Sequence, residues 1–144
     1  MSPVEIRPAQ PGDADAIKAF DEIARVDAER DAFIGRSIAS GDCLVAVVDG
    51  RAVAYAVMRY TSDGRGFVDM LYVQTEFRRR GFGSALMSHI EHLCQSPQLF
   101  TSTNRSNKEM QALLAKLGYT PSGVLENPKE GDPELVFMKH LFIF

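Results

Sequence analysis

Apolar and polar residues alternate over Val4-Glu5-Ile6-Arg7. That period of two predicts a short strand with one buried face. Pro8 and Pro11-Gly12 end it, and Asp13 can cap a helix carrying Ile17, Phe20, Ile23 and Ala24 at helical spacing. A second helical stretch runs from about Ala28 to Ser40, with Ala32, Phe33 and Ile38 apolar, and Gly41-Asp42 stops it. Three strand patterns follow. Leu44–Val48 and Ala52–Arg59 are joined by Asp49-Gly50, a tight-hairpin signal, and Phe67–Val73 comes after a second such pair, Asp63-Gly64. The prediction is an antiparallel meander. Leu44–Val48 is apolar throughout, as in a strand covered on both faces.

Beyond Val73 the period lengthens. Phe82, Leu86, Ile90, Leu93 and Cys94 form one helical stripe, which Pro97 closes. Leu99–Thr103 is a short strand. Ser106 and Glu109 have the spacing of a capping box ahead of Met110, Leu113, Leu114 and Leu117, and Gly118 stands where a helix C-cap belongs. Tyr119–Leu125 and Glu134–Phe144 read as two strands around a loop, Asn127–Pro133. The order β-α-α-β-β-β-α-β-α-β-β makes an α/β arrangement with a mixed sheet.

Composition narrows the class. The chain has 144 residues, 45% hydrophobic and 24% charged, with no linker or repeat, so 1–144 is expected to be a single domain. A net charge of −3 argues against a dedicated nucleic-acid partner. Cys43 and Cys94 lie far apart in apolar runs, which suits buried thiols in a reducing cytoplasm. No segment approaches the ~20 apolar residues of a membrane span, and Met1–Pro11 lacks the pattern of a signal peptide. Cytoplasmic location without membrane association is the expectation.

The chemistry concentrates in Arg78-Arg79-Arg80-Gly81-Phe82-Gly83-Ser84, between a strand ending near Val73 and a helix starting near Gly83. A helix start offers unpaired amides and a positive dipole end. Gly81 and Gly83 remove side chains that would hold phosphates off those amides, and three arginines add charge. A Walker loop would need a lysine that is absent. A dinucleotide fingerprint would need a third glycine where Leu86 stands. Arg80-Gly81-Phe82-Gly83 matches half of an RNA-recognition motif, but Ser84-Ala85-Leu86-Met87 supplies no further aromatics. The loop therefore reads as a pyrophosphate cradle, against the plainer reading of a solvated basic turn. Ser84 would bond phosphate or cap the helix.

This loop resembles the acyl-CoA loop of the GCN5-related N-acetyltransferases, Arg/Gln-x-x-Gly-x-Gly/Ala. Asp69-Met70-Leu71-Tyr72-Val73 resembles that family's fourth strand. Ser106-Asn107 with Leu114-Ala115-Lys116-Leu117-Gly118-Tyr119 resembles its fourth helix and "LGF" ending. The resemblance covers Val4 to Leu141. It implies a twisted, mixed, mostly antiparallel sheet of about seven strands with four helices, and acyl-CoA in the splay between strands four and five. It implies acetyl transfer from acetyl-CoA to a primary amine of a small molecule, peptide or protein, by direct attack in a ternary complex, with no metal. Backbone groups of Leu71, Tyr72 and Val73 would bind the pantetheine arm. Arg78, Arg79, Arg80, Gly81, Phe82, Gly83 and Ser84 would hold the pyrophosphate, and Asn107 would contact the arm.

An amine of pKa ~10 must lose a proton before it attacks. Leu114 stands where many relatives carry an acidic Tyr, and Ser102 where some carry a Glu. Asp69 is the remaining candidate base, with an exposed or Arg-paired carboxylate as the alternative. Tyr72 either lines the acceptor site or packs. His89, His92 and His140 read as flanking or structural residues, and His89-x-x-His92 lacks further ligands for a metal. Asp13, Asp15, Asp21, Glu22, Asp27, Glu29 and Asp31 would make the region of the first two helices attractive to a cation, or are solvated helix faces. A non-catalytic acyl-CoA-binding or regulatory module is the alternative function. The resemblance leaves a homodimer open, and Leu141-Phe142-Ile143-Phe144 would be either an interface or part of the core.

Overall fold

A computed structural model describes residues 3–126 and 131–142. The strands are β1 (Glu5–Pro8), β2 (Cys43–Val48), β3 (Arg51–Tyr60), β4 (Gly66–Val73), β5 (Gln98–Asn104), β6 (Thr120–Leu125) and β7 (Glu134–His140). The helices are α1 (Ala14–Phe20), α2 (Ala28–Ala39), α3 (Phe82–Leu93) and α4 (Lys108–Lys116). The strands form one seven-stranded sheet in the order β1-β2-β3-β4-β5-β7-β6, with β4 and β5 parallel. Contacts group the chain into two compact units: the chain up to Met58 with Met70–Ile90, and Arg59–Asp69 with the chain from Glu91 onwards.

In the first unit β2 pairs with β1 and β3, and all but the last two residues of β2 are buried, as its apolar run requires. Asp49 and Gly50 have φ of 52° and 76°, the positive pair that a two-residue hairpin turn demands. The core gathers Ile17, Ile34, Ile38, Val45, Tyr55 and Val57. Asp27 caps α2, accepting from the amides of Glu29 and Arg30.

The first helix is shorter than its spacing predicts. It ends at Phe20, leaving Ile23 45% exposed. The cause is Asp21, whose Oδ1 accepts from the amides of Ile23 and Ala24 at 3.0 and 3.2 Å. A carboxylate that takes the next amides competes with the helical carbonyls for them. In α3 the buried residues are Leu86, Met87 and Ile90, while Leu93 is half-exposed.

In the second unit β4 pairs with β5 from Gly66 with Leu99 to Val68 with Thr101. β7 lies antiparallel to β5 from Gln98 with His140 to Asn104 with Glu134. β7 stops at His140, short of the predicted Phe144; Leu141 donates its amide to Pro97 O, and Ile143-Phe144 lie outside the described residues. So does part of the predicted loop, 127–130. The N-cap of α4 is Asn107, which accepts from the Met110 amide, and not Ser106. The Ser106 hydroxyl donates to Asp132 at 2.5 Å. The helix closes as predicted: Gly118 at φ 93° lets its amide reach Ala115 O and the Tyr119 amide reach Leu114 O.

Gly66 is a packing requirement. A Cβ there would stand 2.6 Å from Cys94 Sγ and 3.2 Å from Leu99 Cδ1, and the Gly66 amide donates to Ser96 Oγ at 2.9 Å. Gly66→Ala should lower stability by ~1–3 kcal/mol, as overpacking of a filled core does. An unchanged midpoint in urea would contradict this packing.

Candidate functional site

The first unit builds the strand-to-helix loop at residues 78–84. After β4, the Gln74 amide donates to Val53 O at 2.8 Å, and Thr75–Phe77 form a single 3-10 turn. Arg79 and Gly81 both take positive φ, 64° and 87°, which reverses the chain into α3. Gly81 faces open space: nothing lies within 4 Å of where its Cβ would be. The Ala85 amide donates to Gly81 O at 3.0 Å, opening the helical ladder. The amides of Phe82, Gly83 and Ser84 therefore belong to the turn whose donors have no intrahelical acceptor. That is an anion cradle in backbone geometry, with Gly81 keeping its approach clear.

The arginines divide the work. Arg78 turns back, donating Nε–H to Val73 O at 2.9 Å with its guanidinium 5.2 Å from the Tyr72 ring centroid. One lone pair of the Val73 carbonyl is thus already engaged. Arg80 lies 5.4 Å from the centre of the Phe77 ring. Leu71 and Val73 are half-buried beside the buried Tyr72. The Tyr72 hydroxyl accepts from the Glu22 amide at 3.2 Å, and its ring stacks with Phe20 and tilts against Tyr55.

Behind Tyr72 lies a cluster that the sequence did not signal. Asp21 is fully buried. Its Oδ2 accepts from Arg30 Nε at 2.8 Å and from the Tyr55 hydroxyl at 2.5 Å. Burial first, and the bond to Asp21 second, push the Tyr55 phenol well above its usual range. Nothing in Phe20-Asp21-Glu22 distinguishes the buried carboxylate from its exposed neighbour. Only the packing does.

The profile of the Acetyltransferase (GNAT) family matches residues 10–119. The chain belongs to this family. A GNAT acetyltransferase from Bacillus cereus is similar over 96% of this chain and 97% of its own, with 29% identity and a TM-score of 0.86. Ard1 from Thermoplasma volcanium is similar over 97% and 99%, with 20% identity and a TM-score of 0.85. Arabidopsis thaliana Naa50, solved with the bisubstrate analogue CoA-Ac-MVNAL, is similar over 94% and 97%, with 17% identity and a TM-score of 0.76. The last two are likenesses of fold. No curated protein matches the sequence.

Four further candidates of this GNAT chain, Asp69, Ser102, Asn107 and Leu114, lie in the second unit. Asp69 forms an ion pair with Arg59, 2.6 Å from Nε. Ser102 donates to Glu134 at 3.4 Å, and Leu114 is fully buried. Asn107 uses its side-chain oxygen as a helix cap. Several acidic groups expected around the first two helices are committed: Asp13 to Arg7, Asp31 to Lys18 and Asp21 to Arg30. Burial pushes the Cys43 thiol up to about 11, which keeps it protonated. Among the described residues no three His, Cys, Asp or Glu side chains gather as a metal site, and no helix is long and apolar enough to cross a membrane.

Proposed function

We propose that this GNAT protein is an acetyl-CoA-dependent N-acetyltransferase acting as one domain, which moves an acetyl group to a primary amine of a small molecule, peptide or protein by direct attack in a ternary complex. The strand-to-helix loop carries the reading: free first-turn amides, an unobstructed Gly81 and a cationic flank suit the pyrophosphate of CoA. The co-substrate supplies the reactive thioester. The amides from Arg79 to Ser84 hold its phosphates, the backbone of Leu71, Tyr72 and Val73 orients the arm, and Asn107 contacts the arm through its amide nitrogen. Asp69 takes the ammonium proton after parting from Arg59, and Tyr72 borders the acceptor. A thiolate leaving group of pKa ~8.5 departs without an acid, so Leu114 is compatible with turnover.

A thermal melt with and without acetyl-CoA tests the reading, with an RNA oligomer as control. Ligand at ~100 times its dissociation constant adds about 2.7 kcal/mol, a shift of several degrees. A shift with acetyl-CoA alone is expected; no shift overturns the reading. The buried Leu114 and the Asp69–Arg59 pair favour a second reading, a non-catalytic acyl-CoA-binding or regulatory module. It requires the same shift but no thiol release with any amine of a broad panel.

A further inference from the structure

Arg51 is the first residue of β3, directly after the Asp49-Gly50 turn. The bond from the Gln74 amide to Val53 O draws the start of β3 against the turn that follows β4. The Arg51 guanidinium lies 5.2 Å from the centre of the Phe77 ring, and that of Arg80 lies 5.4 Å from the same centre. Phe77 packs in turn against Phe82, the first residue of α3, at 6.2 Å. Two residues far apart in sequence thus place their cations on one aromatic platform beside the strand-to-helix loop. Among the described residues Arg51 has one carboxylate partner, Glu76, at 3.8 Å with both side chains largely exposed. Such a contact binds weakly and leaves the guanidinium available.

We propose that Arg51 and Arg80 form a second anion site on Phe77, which takes the 3′-phosphate of CoA and makes the protein selective for CoA over 3′-dephospho-CoA. The inference rests on the acyl-CoA reading above. Arg78 is turned back to Val73 and Tyr72, and the pyrophosphate has the backbone amides of the helix start. The cations on Phe77 are therefore left for another phosphate. A guanidinium lying on a ring still presents its in-plane N–H fork, which matches phosphate oxygens. The ribose 3′-phosphate is a monoester that carries close to two negative charges at neutral pH, so it complements the two cations held against Phe77. The chain as a whole is acidic at −3, so this clustering of arginines is local.

Calorimetric titration of the full chain with CoA and with 3′-dephospho-CoA, for the native protein and Arg51→Gln, is the test. The native protein should prefer CoA about tenfold, the scale of one charge-assisted contact near the surface. In Arg51→Gln the preference should fall to about twofold or less while dephospho-CoA binds as before. Equal binding of the two ligands by the native protein, or an undiminished preference in Arg51→Gln, overturns the second site and leaves the acyl-CoA reading standing. Binding of neither ligand by the native protein overturns both.

Discussion

Gly83→Trp is expected to lower amine-dependent thiol release at least about 100-fold in kcat/KM, the scale on which losing preorganised donors weakens a reacting complex. Gly83 is the second residue of α3, and its own amide belongs to the first-turn donors. An indole there would stand in the approach to those amides, where the phosphates of CoA are proposed to bind. Helix formation is not the issue, because tryptophan has no barrier to helical geometry. The melting midpoint without ligand should change by only a few degrees, and the acetyl-CoA shift should vanish. Full activity in this variant would remove the loop from the co-substrate site. Activity and ligand shift have to be measured together, since a general loss of folding would lower both and also the unliganded midpoint.

Asp21→Ala should be the most destabilising single change in the first unit. The substitution strands Arg30, whose side chain is 16% exposed, and the Tyr55 hydroxyl. It also frees the amides of Ile23 and Ala24. Breaking a buried ion pair from one side costs ~3–5 kcal/mol, because the remaining charge has no compensation. For a 144-residue chain that is a fall of about 10–15 °C in midpoint. Asp21→Asn should cost less: its carbonyl oxygen can still accept from the two amides, although the charge on Arg30 loses its partner. Tyr55→Phe should cost ~1–3 kcal/mol, because it removes a hydroxyl that donates to Asp21 and accepts from Arg30 Nε. A midpoint within 3 °C of native for Asp21→Ala would show that the carboxylate does not hold the cluster.

The consequence of that cluster reaches the candidate site. Arg30 lies 5.6 Å from the centre of the Tyr72 ring, and Tyr55 packs against the same ring. The turn held by Asp21 also supplies the Glu22 amide to the Tyr72 hydroxyl. A loosened turn would move the residue proposed to border the acceptor, so Asp21 variants that remain folded should show altered amine KM before altered acetyl-CoA binding.

The sequence by itself determined the element order, the two-residue turn at Asp49-Gly50, the Gly118 helix ending and the Arg-Gly loop. These are local: periodicity, positive-φ demand and the missing amide partners of a helix start depend on near neighbours in the chain. The family was legible for the same reason, since its motif is contiguous at 78–83. Only the tertiary structure decided which charges are free. Asp21 and Glu22 are adjacent acids, yet Asp21 is buried against Arg30 and Tyr55 while Glu22 is exposed. Asp69 became an ion-pair partner through Arg59 on a neighbouring strand. Arg51 entered the loop's surroundings through Phe77, 26 positions away. Ionic pairing and burial are set by distances in space, which one-dimensional spacing does not carry, and those distances separate a charge that holds the fold from one left to meet a ligand.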